Sequence, residues 1–540
     1  MYDDKTLELI KIVEEKRAYN AALEPERMTA EQKDDVLSKF HPDYKQSEFT
    51  TLAIGPNAGG KVPIQLCDML QAHSRVAGQE IDLSNPDYDC DVLVIGGGGA
   101  GCSAAIEANN KGAKVTIVTK LRMGDANTMM AEGGIQAADK PNDSPAIHYV
   151  DAFGGGHFAA KPELVAKLVN KAPEAIKWLS ELGVEFDKTE DGTMVTTHGG
   201  GTSRKRMHAA KDYSGAEIMR TLRDEVLNRD IQVVDFTAAI EIIKDDKGCA
   251  AGAVLMNMET TDILVARAKT VIIATGGAGR MHYQGFPTSN HYGATADGLV
   301  LAYRAGAKLR DVDTLQYHPT GAAFPDQIFG ALVTEKVRSL GAKLVNIDGE
   351  VFMNPLETRD VTASSIIREC TERGKGIPTP DGVGIWLDTP MIDLKGGEGT
   401  IEKRIPAMLR MFGKYGIDIR KYPILVYPTL HYQNGGVDVG DDSQTCVENL
   451  YVAGEAAGGV HGRNRLMGNS LLDVIVFGRN AGQFAGDKFK SVEVGKLTLS
   501  HVDDFENEIK KAGIETELVS PKLLPNYARV ENPLEKSYIQ

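Results

Sequence analysis

Three glycines, Gly96, Gly98 and Gly101, stand in GxGxxG spacing in the run DVLVIGGGGAGCSAAI. Each has a use in holding a pyrophosphate. Gly96 permits a tight turn, Gly98 lets the backbone approach the anion, and Gly101 lets the next helix pack on the strand, its N-terminus carrying partial positive charge. An ordinary glycine-rich turn would look the same, so the flanks decide. DVLVI reads as a short buried strand, CSAAIEANNKG as a helix ending at Gly112, and KVTIV as a second strand. The second strand ends in Thr119-Lys120 rather than in an acid for a ribose hydroxyl.

Two later segments choose between nucleotides. Ala274-Thr275-Gly276-Gly277 follows the apolar run VIIA, and Ala453-Gly454-Glu455 follows Leu450–Val452. Large flavoproteins close a dinucleotide site with such returning segments, whose late glycine–acid pair holds ribityl or ribose hydroxyls. A fold for NAD alone has no need of them, so FAD is the expected cofactor.

Other chemistry-bearing residues are weaker signals. Gly55, Gly60 and Lys61 match GxxxxGK, but Val62 stands where a P-loop needs Ser or Thr, and TTLAI is a poor preceding strand, so a plain Gly/Pro loop is expected. The six cysteines form neither a CxxC pair nor a haem-attachment site. No metal site is expected, and an iron–sulfur or haem relay would have to sit on another chain. Glu335 and Arg338, three apart, would share a helix face and pair.

The elements that carry these residues form an α/β fold. Residues 1–88 open with a helical pattern at Leu7, Ile10, Ile12 and Val13, followed by the charged stretch MTAEQKDDVLSKF. From Asp91 the pattern is βαβ, and after about Gly482 it becomes a polar tail. No period repeats. With 42% hydrophobic and 25% charged residues the chain is ordinary globular material, its 57 glycines gathered in short loops. A net charge of -15 argues against nucleic acid. No secretory signal and no apolar run near the ~20 residues of a membrane span are visible, so a cytoplasmic protein, membrane-associated only through partners, is expected.

TMMAEGGIQAA, ATGGAGR, QYHPTG, TEKVR, TRD, YPTLHYQNGG, AGEAAGG and HGRNRLMGNSLLD follow in order between Asp91 and Gly482. In these motifs the chain resembles the flavoprotein subunits of the fumarate reductase/succinate dehydrogenase family, a group that also holds L-aspartate oxidase and adenylylsulfate reductase. The resemblance implies a Rossmann-type FAD-binding domain interrupted by an α+β capping domain, behind a helical N-terminal extension. The expected bounds are 1–88 for a partner-docking extension, 89–313 and 429–485 for the two parts of the FAD-binding domain, 314–428 for the cap and 486–540 for a tail. It implies cofactor contacts from Gly96, Gly98, Gly101, Thr119, Lys120, Asn127, Thr128, Glu132, Gly133, Gly134, Ala274, Thr275, Gly276, Asp297, Glu455, Asn469, Ser470 and Leu471.

For the substrate it implies Arg465 and His431 as carboxylate ligands, His318 and Thr334 as donors to the other carboxylate, and Glu335, Arg338 and Arg359 as a proton relay ending at Arg359. The activity implied is fumarate reduction, with electrons from an iron–sulfur subunit or a second, NADH-oxidising flavin subunit. Asn127 occupies the position of the family's flavin-linking histidine, so non-covalent FAD is expected, which in the family favours reduction over succinate oxidation. Arg463 has no family counterpart and reads as a surface charge.

Other departures are Thr197-His198-Gly199-Gly200 in place of a phenylalanine-glycine-glycine segment, and Lys336, Ser339 and Leu340 around the relay arginine. An L-aspartate oxidase would need an acid near Thr197–Arg204 to hold the substrate ammonium, and THGGGTSR has none. A flavin relay without substrate chemistry would have no use for four carboxylate-ligand positions.

Overall fold

The structure is a computed structural model and describes residues 2–525. Its central strand, Tyr88–Ile95, buries Val92, Leu93, Val94 and Ile95, as a strand covered on both faces requires. Val115–Val118 and then Gln232–Val234 run parallel on one side, and Ile263–Ile273 runs parallel on the other. The far edge of Ile263–Ile273 is shared. Its first half pairs antiparallel with Ala250–Asn257, while Val271, Ile272 and Ile273 pair parallel with Leu450–Val452. This sharing brings the late Ala453-Gly454-Glu455 turn beside Ala274-Thr275-Gly276, though 179 residues separate Ala274 from Ala453.

The helix Gly99–Asn110 packs against Asn469–Lys488 through glycines. A Cβ on Gly478 would meet Ala100 O at 2.7 Å, and one on Gly482 would meet Ala104 O at 2.2 Å, so only glycine lets the two backbones approach this closely.

A second, antiparallel sheet holds Leu315–Ala322, Ile424–Gln433, Gly382–Leu387 and Leu344–Val345 in that order. The ladder slips between His318 and Gly321, where Pro319 has no N–H to give. Two elements run across expected bounds. Ile424–Gln433 is one strand across the 428/429 boundary, and Asn469–Lys488 is one helix across 485/486. In both cases a continuous backbone ladder outweighs the change in composition.

The N-terminal residues wrap the molecule. The helix Asp4–Ala22 lies beside the antiparallel sheet, with Tyr2 stacked on Phe324 and edge-on to Trp386, and Arg17 Nε donating to Asp388 at 3.0 Å. The charged stretch is the helix Ala30–Phe40, entered through a capping box between Thr29 and Gln32. The GxxxxGK match is a hairpin turn between Phe49–Thr51 and Lys61–Pro63, with Lys61 over the Phe49 ring. The tail adds the strand Leu497–Thr498 to the large sheet and the helix Ser500–Lys511, and Val519–Ser520 pairs with His73–Ser74. The part of the tail from 526 onward lies outside the described residues. Among the described residues no helix is long and apolar enough to cross a membrane.

Candidate active site

One cleft runs from the GxGxxG turn to a buried cationic cluster. At the first end glycines let backbone segments close tightly around the cleft. A Cβ on Gly96 would lie 2.3 Å from Ala274 O, and one on Gly101 would lie 1.9 Å from Gly96 O. Gly98 opens the helix without a side-chain cap, Gly99 N–H donating to Thr128 Oγ1 at 3.2 Å. Thr275 Oγ1 and Glu132 Oε2 are buried in the cleft without a partner among the described residues. Burial, followed by the nearby Asp212, pushes the Glu132 carboxyl well up. A long groove with glycine walls and orphaned polar atoms fits an extended dinucleotide such as FAD.

Of the expected cofactor residues, Gly96, Gly98, Thr119, Lys120, Asn127, Thr128, Glu132, Gly133, Gly134, Ala274, Thr275, Gly276, Asp297, Glu455, Ser470 and Leu471 line this cleft. Gly101 and Asn469 do not. Gly101 serves helix packing, and Asn469 Oδ1 sits 3.0 Å from His148 Nε2 behind the wall. Lys120 and Asp297 form an ion pair with each other. Both are tied to the tail, Lys120 Nζ donating to Leu523 O at 2.6 Å and Leu523 N–H donating to Asp297 Oδ1 at 3.2 Å. The described tail therefore reaches the cofactor end of the cleft.

Asn127 is held from several sides. Its amide donates to Asn290 Oδ1 at 2.7 Å and Glu455 Oε2 at 3.3 Å, and its carbonyl accepts from His291 N–H at 2.7 Å. Glu455 also accepts from Gln433 N–H at 3.0 Å, and burial raises its carboxyl.

At the other end His318, Thr334, Glu335, Arg359, His431 and Arg465 line the same cleft. Arg338 lies just behind, its guanidinium 3.4 Å from Glu335 Oε2 and donating to Pro355 O. Arg359 Nε donates to Glu335 Oε2 at 2.8 Å. Burial pushes the Glu335 carboxyl up, but Arg359 and Arg338 together outweigh it and hold the group below its ordinary value. Burial also lowers Arg338. The expected relay is therefore a contiguous charged chain.

The sequence reading missed Gln316, although its motif was in view. Its Oε1 accepts from Arg359 Nη1 and from Arg465 Nη2, both at 2.9 Å, and its amide donates to Arg465 O at 2.6 Å. One carbonyl oxygen thus spaces two buried cations. Arg465 lies over the Tyr432 ring at 4.2 Å, and among the described residues its Nε is unpartnered and it makes no ion pair. Burial and then Arg359 lower it to about 9. A buried guanidinium without a carboxylate partner is costly unless an anion completes it.

The histidines are neutral donors or acceptors. Burial, then Arg359 among several cationic neighbours, holds His318 well below its usual range, and burial, Arg359 and Arg465 do the same to His431. The Thr320 N–H donates to His318 Nδ1 at 3.2 Å, so the neutral ring carries its proton on Nε2. His431 Nδ1 lies 2.7 Å from Ser289 Oγ, and the two rings are 5.0 Å apart. Arg463 stays outside the cluster, half exposed and 3.2 Å from Asp313.

The family profile described as FAD binding domain matches residues 91–471. The fumarate reductase (CoM/CoB) of Methanothermobacter marburgensis has one subunit, its first by letter, that is 40% identical over 433 residues, which cover 78% of this chain and 77% of that protein. An L-aspartate oxidase of Streptomyces coelicolor is 35% identical over 400 residues, 72% of this chain and 67% of that one. Among solved structures, the FrdA protein of E. coli quinol fumarate reductase superposes with a TM-score of 0.71 at 31% identity, over 78% of this chain and 74% of that one.

Proposed function

This chain belongs to the FAD-binding flavoprotein family that includes the fumarate reductase and succinate dehydrogenase flavoprotein subunits, and on that premise we propose that it reduces fumarate to succinate with electrons from a partner subunit. It is an FAD-dependent oxidoreductase. The observation that carries the substrate reading is Arg465, a buried cation without an acid partner among the described residues, beside two neutral histidines at the far end of the cofactor cleft. A planar carboxylate matches its fork and removes the cost of its burial.

Arg465 and His431 take one carboxylate. His318, through Nε2–H, and Thr334 take the other, so the alkene is held between fixed donors. FAD, when held in the cleft, would supply the hydride. Arg359 then gives a proton to the neighbouring carbon, which gains carbanion character beside its carboxylate. Glu335, with Arg359 Nε at 2.8 Å and Arg338 behind it, restores that proton. Neutral histidines suit this arrangement, because they bind the dianion without competing as acids.

FAD is held without a covalent bond, since an asparagine amide cannot form the histidyl link and Asn127 is already engaged by Asn290, Glu455 and His291. The electron donor is a subunit carrying iron–sulfur clusters or a second, NADH-oxidising flavin, and the protein works in the cytoplasm. A second reading, L-aspartate oxidase, has a relative in its favour, but the 197–204 segment offers no acid to a substrate ammonium. The test is anaerobic oxidation of a reduced viologen by fumarate, crotonate, acrylate and urocanate, with oxygen-dependent oxidation of L-aspartate as a parallel assay. Fumarate should exceed the monocarboxylates. Preference for a monocarboxylate, or turnover of L-aspartate alone, would refute the reading.

A further inference from the structure

Residues 25–43 precede the stretch matched by the family, yet they grip the active-site scaffold at two places. The loop 354–358 runs straight into Arg359, and Arg338 donates to its Pro355 carbonyl. On the loop's other side Asn354 Nδ2 donates to Pro25 O at 2.8 Å and Met28 N–H donates to Glu357 Oε1 at 2.8 Å. Lys33 Nζ lies 3.0 Å from Glu357 Oε2. Arg27 Nη1 stands 3.9 Å from the same oxygen, and a carboxylate buried as fully as that of Glu357 is costly without such cationic partners. Behind the loop, Val36 and Leu37 of Ala30–Phe40 pack on Val361 of the helix that Arg359 begins. At the second place Asp43 Oδ2 accepts from Leu315 N–H at 3.0 Å, one residue before Gln316. The segment thus fixes the backbone of Arg359 and that of the glutamine holding its Nη1.

We propose that residues 25–43, with the contact of Lys33 to Glu357 foremost, act as a positioning segment that holds Arg359 where it delivers its proton. The inference rests on the fumarate reading for the role of Arg359 and adds a requirement for a segment that carries no family motif. A displacement of about 1 Å in a reacting group costs roughly 10²-fold in rate, so loss of the clamp acts on turnover before it acts on binding.

The test uses the full-length FAD-loaded protein with Lys33→Met, Glu357→Gln and the conservative Lys33→Arg, and Lys11→Ala as a control on an exposed face. Lys33→Met and Glu357→Gln should lower kcat for fumarate by about 10- to 100-fold. They should leave FAD content and the succinate dissociation constant nearly unchanged and enlarge the solvent deuterium effect on kcat. Lys33→Arg should restore most of the rate, and Lys11→Ala should match the parent. Hydrogen exchange across 354–362 should quicken in Lys33→Met. Unchanged kcat or unchanged exchange in the folded variants overturns the proposal. So does parallel loss of FAD and succinate binding, the mark of a merely structural prop. If the parent protein reduces no alkene at all, the fumarate reading fails on its own, and exchange across 354–362 still decides the clamp.

Discussion

Replacing Gln316 with methionine leaves most of the side-chain volume but removes the amide N–H that donates to Arg465 O and Asn464 Oδ1, together with the side-chain carbonyl oxygen. In the parent that oxygen accepts from Arg359 Nη1 and Arg465 Nη2, both at 2.9 Å. A hydrogen bond to a charged group contributes about 1.5–3 kcal/mol, so the variant forfeits roughly 3–6 kcal/mol of alignment between two like charges. Part of this returns when substrate carboxylate takes over Arg465. What remains falls on Arg359, which keeps only Glu335, and about 2.7 kcal/mol there corresponds to a kcat loss of roughly 100-fold. Gln316→Glu should err in the opposite direction. A carboxylate about 4 Å from an arginine is worth around 4 kcal/mol at an effective dielectric of 20, so it competes with the incoming dianion, and KM should rise at least about 10-fold. The assay is dye-linked fumarate reduction, with flavin content measured on each variant. If Gln316→Met kept kcat within threefold of the parent at full flavin occupancy, the bridging amide would have no part in placing Arg359.

Four further outcomes are expected. Acid precipitation should release all yellow colour into the supernatant; flavin on the pellet would contradict the reading of Asn127 and point to His291, the imidazole beside it in the cleft. Arg359→Lys and Arg359→Gln should each lose at least about 10³-fold in turnover, about 4 kcal/mol of barrier, with FAD binding normal, and substantial turnover by Arg359→Gln would move the acid elsewhere. The Arg465 cation is present below about 9 and lost as pH rises through that value. Consequently kcat/KM for fumarate should be flat from pH 6 to 8 and fall above about 9, whereas a break near 6.5 would mean that His318 or His431 titrates as an ordinary imidazole. With artificial dyes fumarate reduction should outrun succinate oxidation, and a clear excess of oxidation would remove the inference from the missing histidyl link.

The nucleotide end of the cleft was legible because its signals are local. A strand, a glycine turn and a helix lie within about thirty residues, and each glycine answers to one backbone approach. The substrate end was readable only through ordered motifs, since His318, Arg359 and Arg465 come from a strand, a helix start and the loop before Asn469–Lys488, which no local pattern couples. Gln316 escaped notice because a neutral amide carries no signature of its own; its role exists only where Arg359 and Arg465 converge. The N-terminal segment, expected to dock a partner, also turns inward. Within its charged stretch Lys33 lies 3.0 Å from buried Glu357, more than three hundred residues away. The capping box at Thr29 and Gln32 was the one local sign that an ordered helix begins there.

The most direct test of the central claim is a single turnover. The purified protein is reduced anaerobically until its flavin is bleached, excess reductant is removed, and fumarate is added while the oxidised flavin band is followed. The band should return with one succinate formed per flavin, and Arg359→Gln should remain bleached under the same conditions. A parent protein whose flavin stays reduced in saturating fumarate would contradict the claim that this cleft carries out dicarboxylate reduction.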